Sequence, residues 1–204
     1  ALTGLLIMGV FAYFISNIIL ADNTNFDEDV KYVYIKESDS FSDVVKKLEP
    51  LIDDIDYFRL VADRKNYQVK PGKYPIEKGM NNNEIVNSLR SRNTPVKLQF
   101  SYEKNLKSLS ENLSKQIALD STSIYQTFTD STFLKKNKLN RETVSTIFLP
   151  NTYEMYWDLT ANKLRNRLYN EYKKFWNAKR DKKLEDLDFT RTDVSILASI
   201  VRKE

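Results

Sequence analysis

From Leu2 to Ala21 the chain reads LTGLLIMGVFAYFISNIILA, without one charged side chain. A fold must either bury such a segment or give it lipid. Twenty helical residues at about 1.5 Å each reach about 30 Å, the thickness of a bilayer's hydrocarbon core. A cleaved signal peptide usually has a shorter apolar stretch, about 7–15 residues. The length therefore predicts a single-pass transmembrane anchor over 1–21. Asp22, Asp27, Glu28 and Asp29 follow, with no Lys or Arg before Lys31. Topology is set by basic residues far more than by acidic ones, so everything after Ala21 is expected outside the cytoplasm.

The remaining composition narrows the chemistry by what is missing. The chain has no His and no Cys, which removes Ser-His-Asp and Cys-His nucleophiles, thiol redox chemistry and nearly all zinc or haem ligation. Gly4, Gly9, Gly72 and Gly79 form neither a phosphate-cradling loop nor a dinucleotide fingerprint. No cofactor and no metal is expected. Carboxylates remain the best acids and bases. The net charge of +4 fits an anionic polymer, a lipid headgroup surface, or a solvated exterior in which Lys and Glu are interspersed.

After a polar linker over 22–29, residues 30–35 (VKYVYI) alternate as a strand. Ser40 precedes the helical spacing of Phe41, Val44, Val45 and Leu48, which stops at Pro50. A second helix is expected over about 55–65, then Pro71-Gly72 as a turn and residues 73–76 as a strand. Asn82 or Asn83 is placed as the cap of a helix carrying Ile85, Val86 and Leu89, ahead of a strand over 95–100. This gives an α+β module over 30–102, followed by a mostly helical region over 103–204. The clearest helix there is 159–176, with Leu164, Leu168, Tyr172 and Phe175 on one face. Its Arg and Lys residues read as a solvated face, because no nucleic-acid-binding motif accompanies them.

Four segments, in this order, carry a resemblance: KPGKYPI (70–76), GMNNNEIVNSLRS (79–91), FLPNTYEMYW (148–157) and LASIVRKE (197–204). Together with the apolar N-terminus they resemble the endolytic murein transglycosylases of the YceG-like family (MltG), most closely the form seen in Bacteroidota. The resemblance implies a LysM-like βααβ module that sits on peptidoglycan glycan strands, joined to a catalytic domain that cuts those strands internally. It also implies an inner-membrane protein with its bulk in the periplasm, and peptidoglycan synthases as a partner class. The family's catalytic glutamate falls on Glu204. Two positions earlier, where relatives often carry Glu, stands Arg202. Family members continue past this motif, so the expectation is a trimmed chain that holds the N-terminal part of the catalytic domain and lacks the finished groove.

Spacing gives Glu204 a reason beyond the resemblance. Thr190 and Asp193 fit a helix cap, and Val194, Leu197, Ile200 and Val201 continue an apolar stripe. Glu204 lies four residues after Ile200 and seven after Leu197, on that same face. An acid among apolar neighbours loses hydration, which can lift a glutamate from about 4.3 to about 6 and keep a proton available. Tyr153, Glu154 and Tyr156 are the candidates for lining a sugar groove. The competing expectation is a non-catalytic, membrane-anchored peptidoglycan-binding scaffold.

Overall fold

A computed structural model describes residues 2–101, 103 and 105–201. The architecture is mixed α+β. It divides into two compact units, one of residues 1–95 with 156–158 and one of residues 96–155 with 159–204.

The first unit opens with helix α1 (Leu2–Leu20). Among the described residues no helix is long and apolar enough to cross a membrane, which corrects the anchor expected over 1–21. The physical reason lies in the C-terminal end of α1. Ile18 is buried, and its carbonyl accepts from Asn82 Nδ2 at 2.8 Å. With that end held by the module, the free turns ahead of Ile18 reach only about 24 Å, short of the hydrocarbon thickness.

The expected linker over 22–29 is also part of the fold. Asn23 and Phe26 are buried, and Asp22 and Thr24 form bridges to Asn81 and Ile52. Asn23 Nδ2 donates to the Asp54 carbonyl at 2.9 Å and to Asn82 Oδ1 at 2.7 Å, while its Oδ1 accepts from the Asp54 amide at 2.8 Å. A buried amide with its hydrogen bonds satisfied costs little, whereas leaving one unpaired would cost about 1–3 kcal/mol. This network binds the end of α1, the stretch after it, and the starts of two helices to one another.

Strand β1 (Val30–Ile35) pairs antiparallel with β2 (Gly72–Glu77), and between them run α2 (Phe41–Leu48) and α3 (Ile55–Arg64), giving the βααβ order. Ser40 and Asp43 exchange hydrogen bonds in a capping box at the start of α2. Helix α4 (Asn82–Ser91) is capped by Asn81, reciprocally with Glu84, and not by Asn82 or Asn83. The reason is that Asn82 is already used in the buried amide network. The core gathers Val33, Ile35, Val44, Leu48, Phe58, Ile76, Ile85 and Leu89, all 2% exposed or less. Gly72 sits at φ +150, and a Cβ there would meet the Asn93 side chain at 2.6–2.8 Å. Asn93 cannot easily move aside, because its Oδ1 accepts from the Lys73 amide at 3.0 Å and its Nδ2 donates to Asp158 at 3.1 Å. This explains the glycine in KPGKYPI.

In the second unit, β3 (Pro95–Phe100) pairs with β4 (Asn151–Tyr156). The unit also contains α5 (Leu106–Ser114), α6 (Ser121–Phe128), α7 (Ser131–Lys136), α8 (Ala161–Phe175), α9 (Ala178–Asp186) and α10 (Arg191–Val201), with α6 packed against both α5 and α8. The expected inward face of α8 holds for Leu164, Leu168 and Tyr172, but Phe175 is 38% exposed and Trp176 is buried in its place. The core includes the fully buried Phe128, whose ring lies 4.5 Å from that of Phe148.

Candidate functional site

Helix α10 carries the start of the LASIVRKE motif and forms one wall of a groove of about 580 Å³ within the second unit. Its start is fixed twice. Thr190 and Asp193 form the expected cap: the Thr190 amide donates to Asp193 Oδ2 at 2.8 Å, and the Asp193 amide donates back to Thr190 Oγ1 at 3.1 Å. Arg191 then grips α9 through a bidentate pair, Nε to Asp181 Oδ1 at 2.8 Å and Nη2 to Oδ2 at 2.6 Å.

The pair with Arg191 holds the Asp181 carboxyl below the usual carboxylate range. A lowered folded-state value means that this stabilisation is complete above the unfolded value, about 3.9, and disappears as pH falls through the folded one. Acidification from neutrality into that window is expected to reduce amide-exchange protection in α10. Asp181→Asn should remove most of this pH response, with the remainder coming from Asp193, also held low by its Thr190 hydrogen bonds. An α10 whose protection is the same across the window would contradict the clamp.

Opposite α10, the 3-10 turn Val144–Ile147 and the residues just before β4, Phe148, Leu149 and Pro150, form the second wall. Thr146, Thr192, Ser195 and Ser199 line the groove. Three of their hydroxyls donate to backbone carbonyls, Thr146 to Thr143 at 2.7 Å, Ser195 to Arg191 at 2.8 Å and Ser199 to Ile196 at 2.7 Å, which leaves those oxygens as acceptors. Phe175 and Trp176 bring aromatic carbon, and Glu103 and Glu142 bring carboxylates. Glu103 is half-buried and accepts from Asn112 Nδ2 at 3.0 Å. Hydroxyls beside aromatic faces suit a sugar, which offers axial C–H faces and a ring of hydroxyl groups. Among the described residues no group of three His, Cys, Asp or Glu side chains could hold a metal ion.

The sequence-derived candidates are distributed differently. Glu204 lies outside the described residues, as do Arg202 and Lys203. Tyr153 is 5% exposed, stacked on Phe100 at 5.4 Å, and its hydroxyl donates to the Leu149 carbonyl at 2.6 Å. Burial, with the charge of Glu171 adding, pushes that phenol up to about 12. Tyr153 is thus a core residue. Glu154 points to solvent, and Tyr156 is 55% exposed and belongs to the first unit. None of the three lines the groove. The alternation of β4 explains this, because it sends Tyr153 and Met155 inward and leaves the segment before the strand at the groove.

The stripe on α10 is also corrected. Val194 packs against the core, but Leu197, Ile200 and Val201 are 44%, 53% and 74% exposed. No described element shelters that face.

The sequence matches the model of the YceG-like family over residues 33–204. The chain belongs to the YceG-like family. Among solved structures it is similar to a YceG-like protein from Listeria monocytogenes, at 18% identity and a TM-score of 0.43. The alignment covers 81% of this chain and 61% of that one, so this chain spans less than two thirds of that protein's length. Among curated proteins none matches.

Proposed function

We propose that this YceG-like protein is a lytic transglycosylase of the cell envelope, cutting the bond between N-acetylmuramic acid and N-acetylglucosamine inside peptidoglycan strands. The observation that supports it most is that the family match runs through residue 204 while α10, which leads to that residue, borders a groove furnished for sugar. Glu204 is the acid in this reading. Its carboxyl gives a proton to the glycosidic oxygen that leaves C1 of the muramyl sugar. The resulting carboxylate then takes the proton from that sugar's C6 hydroxyl as its oxygen bonds to C1, closing a 1,6-anhydro ring. The proton balance is zero and no water is consumed. One carboxyl therefore suffices where hydrolytic glycosidases use two. The nucleophile is held in the same sugar, so proximity lowers the barrier.

The βααβ module is, in this proposal, the part that grips glycan, and the bulk of the chain faces the periplasm. Tyr32 and Tyr34, 42% and 40% exposed on β1, support that role, with Lys73 Nζ 3.8 Å above the Tyr32 ring and Trp157 set edge-on to Tyr34 at 5.1 Å. A second reading, a non-catalytic peptidoglycan-binding scaffold, is favoured by the same exposed aromatic residues of β1, which would grip glycan without any catalytic acid. Digestion of isolated glycan strands by the complete gene product separates the two. Anhydro-muramyl ends are the expected outcome, and intact strands with retained binding would leave the scaffold.

A further inference from the structure

Between α1 and α3 lies a groove of about 610 Å³ that belongs to neither the βααβ strand face nor the α10 site. Its walls are carbon: Phe11, Phe14, Ile15 and Ile18 from α1, Leu60 and Val61 from α3. Its rim is cationic. Arg64 and Lys65 stand at the edge, and the Lys65 ammonium donates to Oδ1 of Asn83 and, at 2.6 Å, to Oδ1 of Asn87. Both acceptors are neutral. Burial, followed by the nearby positive charge of Arg90, pushes the Lys65 ammonium below the ordinary lysine range. The ion pairs in this unit engage Lys31, Lys46, Lys47, Arg59, Lys78 and Arg92. Among the described residues Arg64, Lys65 and Arg90 have no carboxylate partner.

Two uncompensated cations on the rim of an apolar groove, with Arg90 near enough to Lys65 for its charge to act there, complement a molecule with a hydrocarbon tail and an anionic head. We propose that this groove binds an anionic phospholipid, one acyl chain lying between α1 and α3 and the phosphate held by Arg64, Lys65 and Arg90. A neutral apolar ligand would leave the cations unanswered, and a free phosphate would leave the groove empty. The remaining surface of α1 fits the same partner. Leu6, Ile7, Val10 and Tyr13 are each more than 60% exposed, so α1 is at home among acyl chains that deliver lipid to the groove.

The test is cosedimentation of the whole chain with phosphatidylcholine vesicles and with equal-part phosphatidylcholine and phosphatidylglycerol vesicles at physiological salt. The wild type should bind the mixed vesicles more tightly. Arg64→Gln with Arg90→Gln should weaken binding to the mixed vesicles by about fivefold for each cation removed, leaving phosphatidylcholine binding as it was. A control with Lys36→Gln and Lys70→Gln removes the same charge elsewhere on the module and should keep the preference. Leu60→Asp, at a position 44% exposed, should weaken binding to mixed vesicles through the groove wall. No preference in the wild type, an equal loss in the control, or a Leu60→Asp variant that binds mixed vesicles normally would each overturn the site.

Discussion

Glu204→Gln in the complete gene product is expected to lower the rate of anhydro-muramyl end formation by at least about 10³-fold, with glycan binding kept. A positioned general acid contributes about 10²–10⁴ in rate. Here one carboxyl serves twice, first as acid to the departing oxygen and then as base to the C6 hydroxyl, so the loss belongs at the upper end of that range. Glutamine keeps the shape and the hydrogen-bonding capacity but has no proton to exchange. The variant should therefore unfold at the same denaturant concentration as the wild type, which separates lost chemistry from lost structure. A rate within about tenfold of wild type would assign the proton transfers elsewhere. Glu103 and Glu142, the carboxylates that line the groove, would be the first places to look.

The second large effect is structural. Phe128→Ala removes a fully buried ring, 4.5 Å from Phe148, in the core of the second unit. Phe148 itself lines the groove and meets Phe100 edge-on at 5.9 Å. The expected cost is about 3–5 kcal/mol, the transfer of the ring plus the cavity it leaves. The two units bury separate cores, so urea unfolding should show the transition of the second unit moved to lower denaturant and that of the first little changed. A loss below about 1 kcal/mol would mean that the site collapses around the cavity, which close packing of Phe100, Phe128 and Phe148 argues against.

Much of the fold was legible because its signals are local. Alternation over 30–35 and 95–100 produced strands, Ser40 and Thr190 produced caps, and the spacing of Leu164, Leu168 and Tyr172 produced a buried helix face. The errors have a common cause, contact with residues far away in sequence. The stretch over 22–29 looks like a linker, since polarity alone cannot show that Asn23 will meet Asp54 and Asn82. The cap of α4 fell on Asn81 because the same contact occupies Asn82. Apolarity and length suggested a membrane span for α1, while the attachment of Ile18 to Asn82, sixty-four positions later, takes its last turns into the module.

The candidate site was less legible than the fold. A motif marks which segment matters but not which of its side chains faces the groove. In FLPNTYEMYW the aromatic residues with polar tips looked suited to sugar, yet strand alternation buries Tyr153 and turns Glu154 to solvent, leaving Phe148, Leu149 and Pro150 at the groove. The hydroxyls of Thr146, Ser195 and Ser199 and the aromatic pair Phe175 and Trp176 gave no signal in sequence. They converge only because the turn at 144–147 and α10 pack together, and Ser or Thr in a helix is ordinarily unremarkable.

Mass analysis of the new ends made when the complete gene product digests glycan strands bears most directly on the role assigned to the acid that α10 leads to. The proposal requires muramyl ends lighter by one water than reducing ends, produced inside strands and lost in Glu204→Gln. Reducing ends from the wild type, which need an activated water and a second carboxyl, would contradict it.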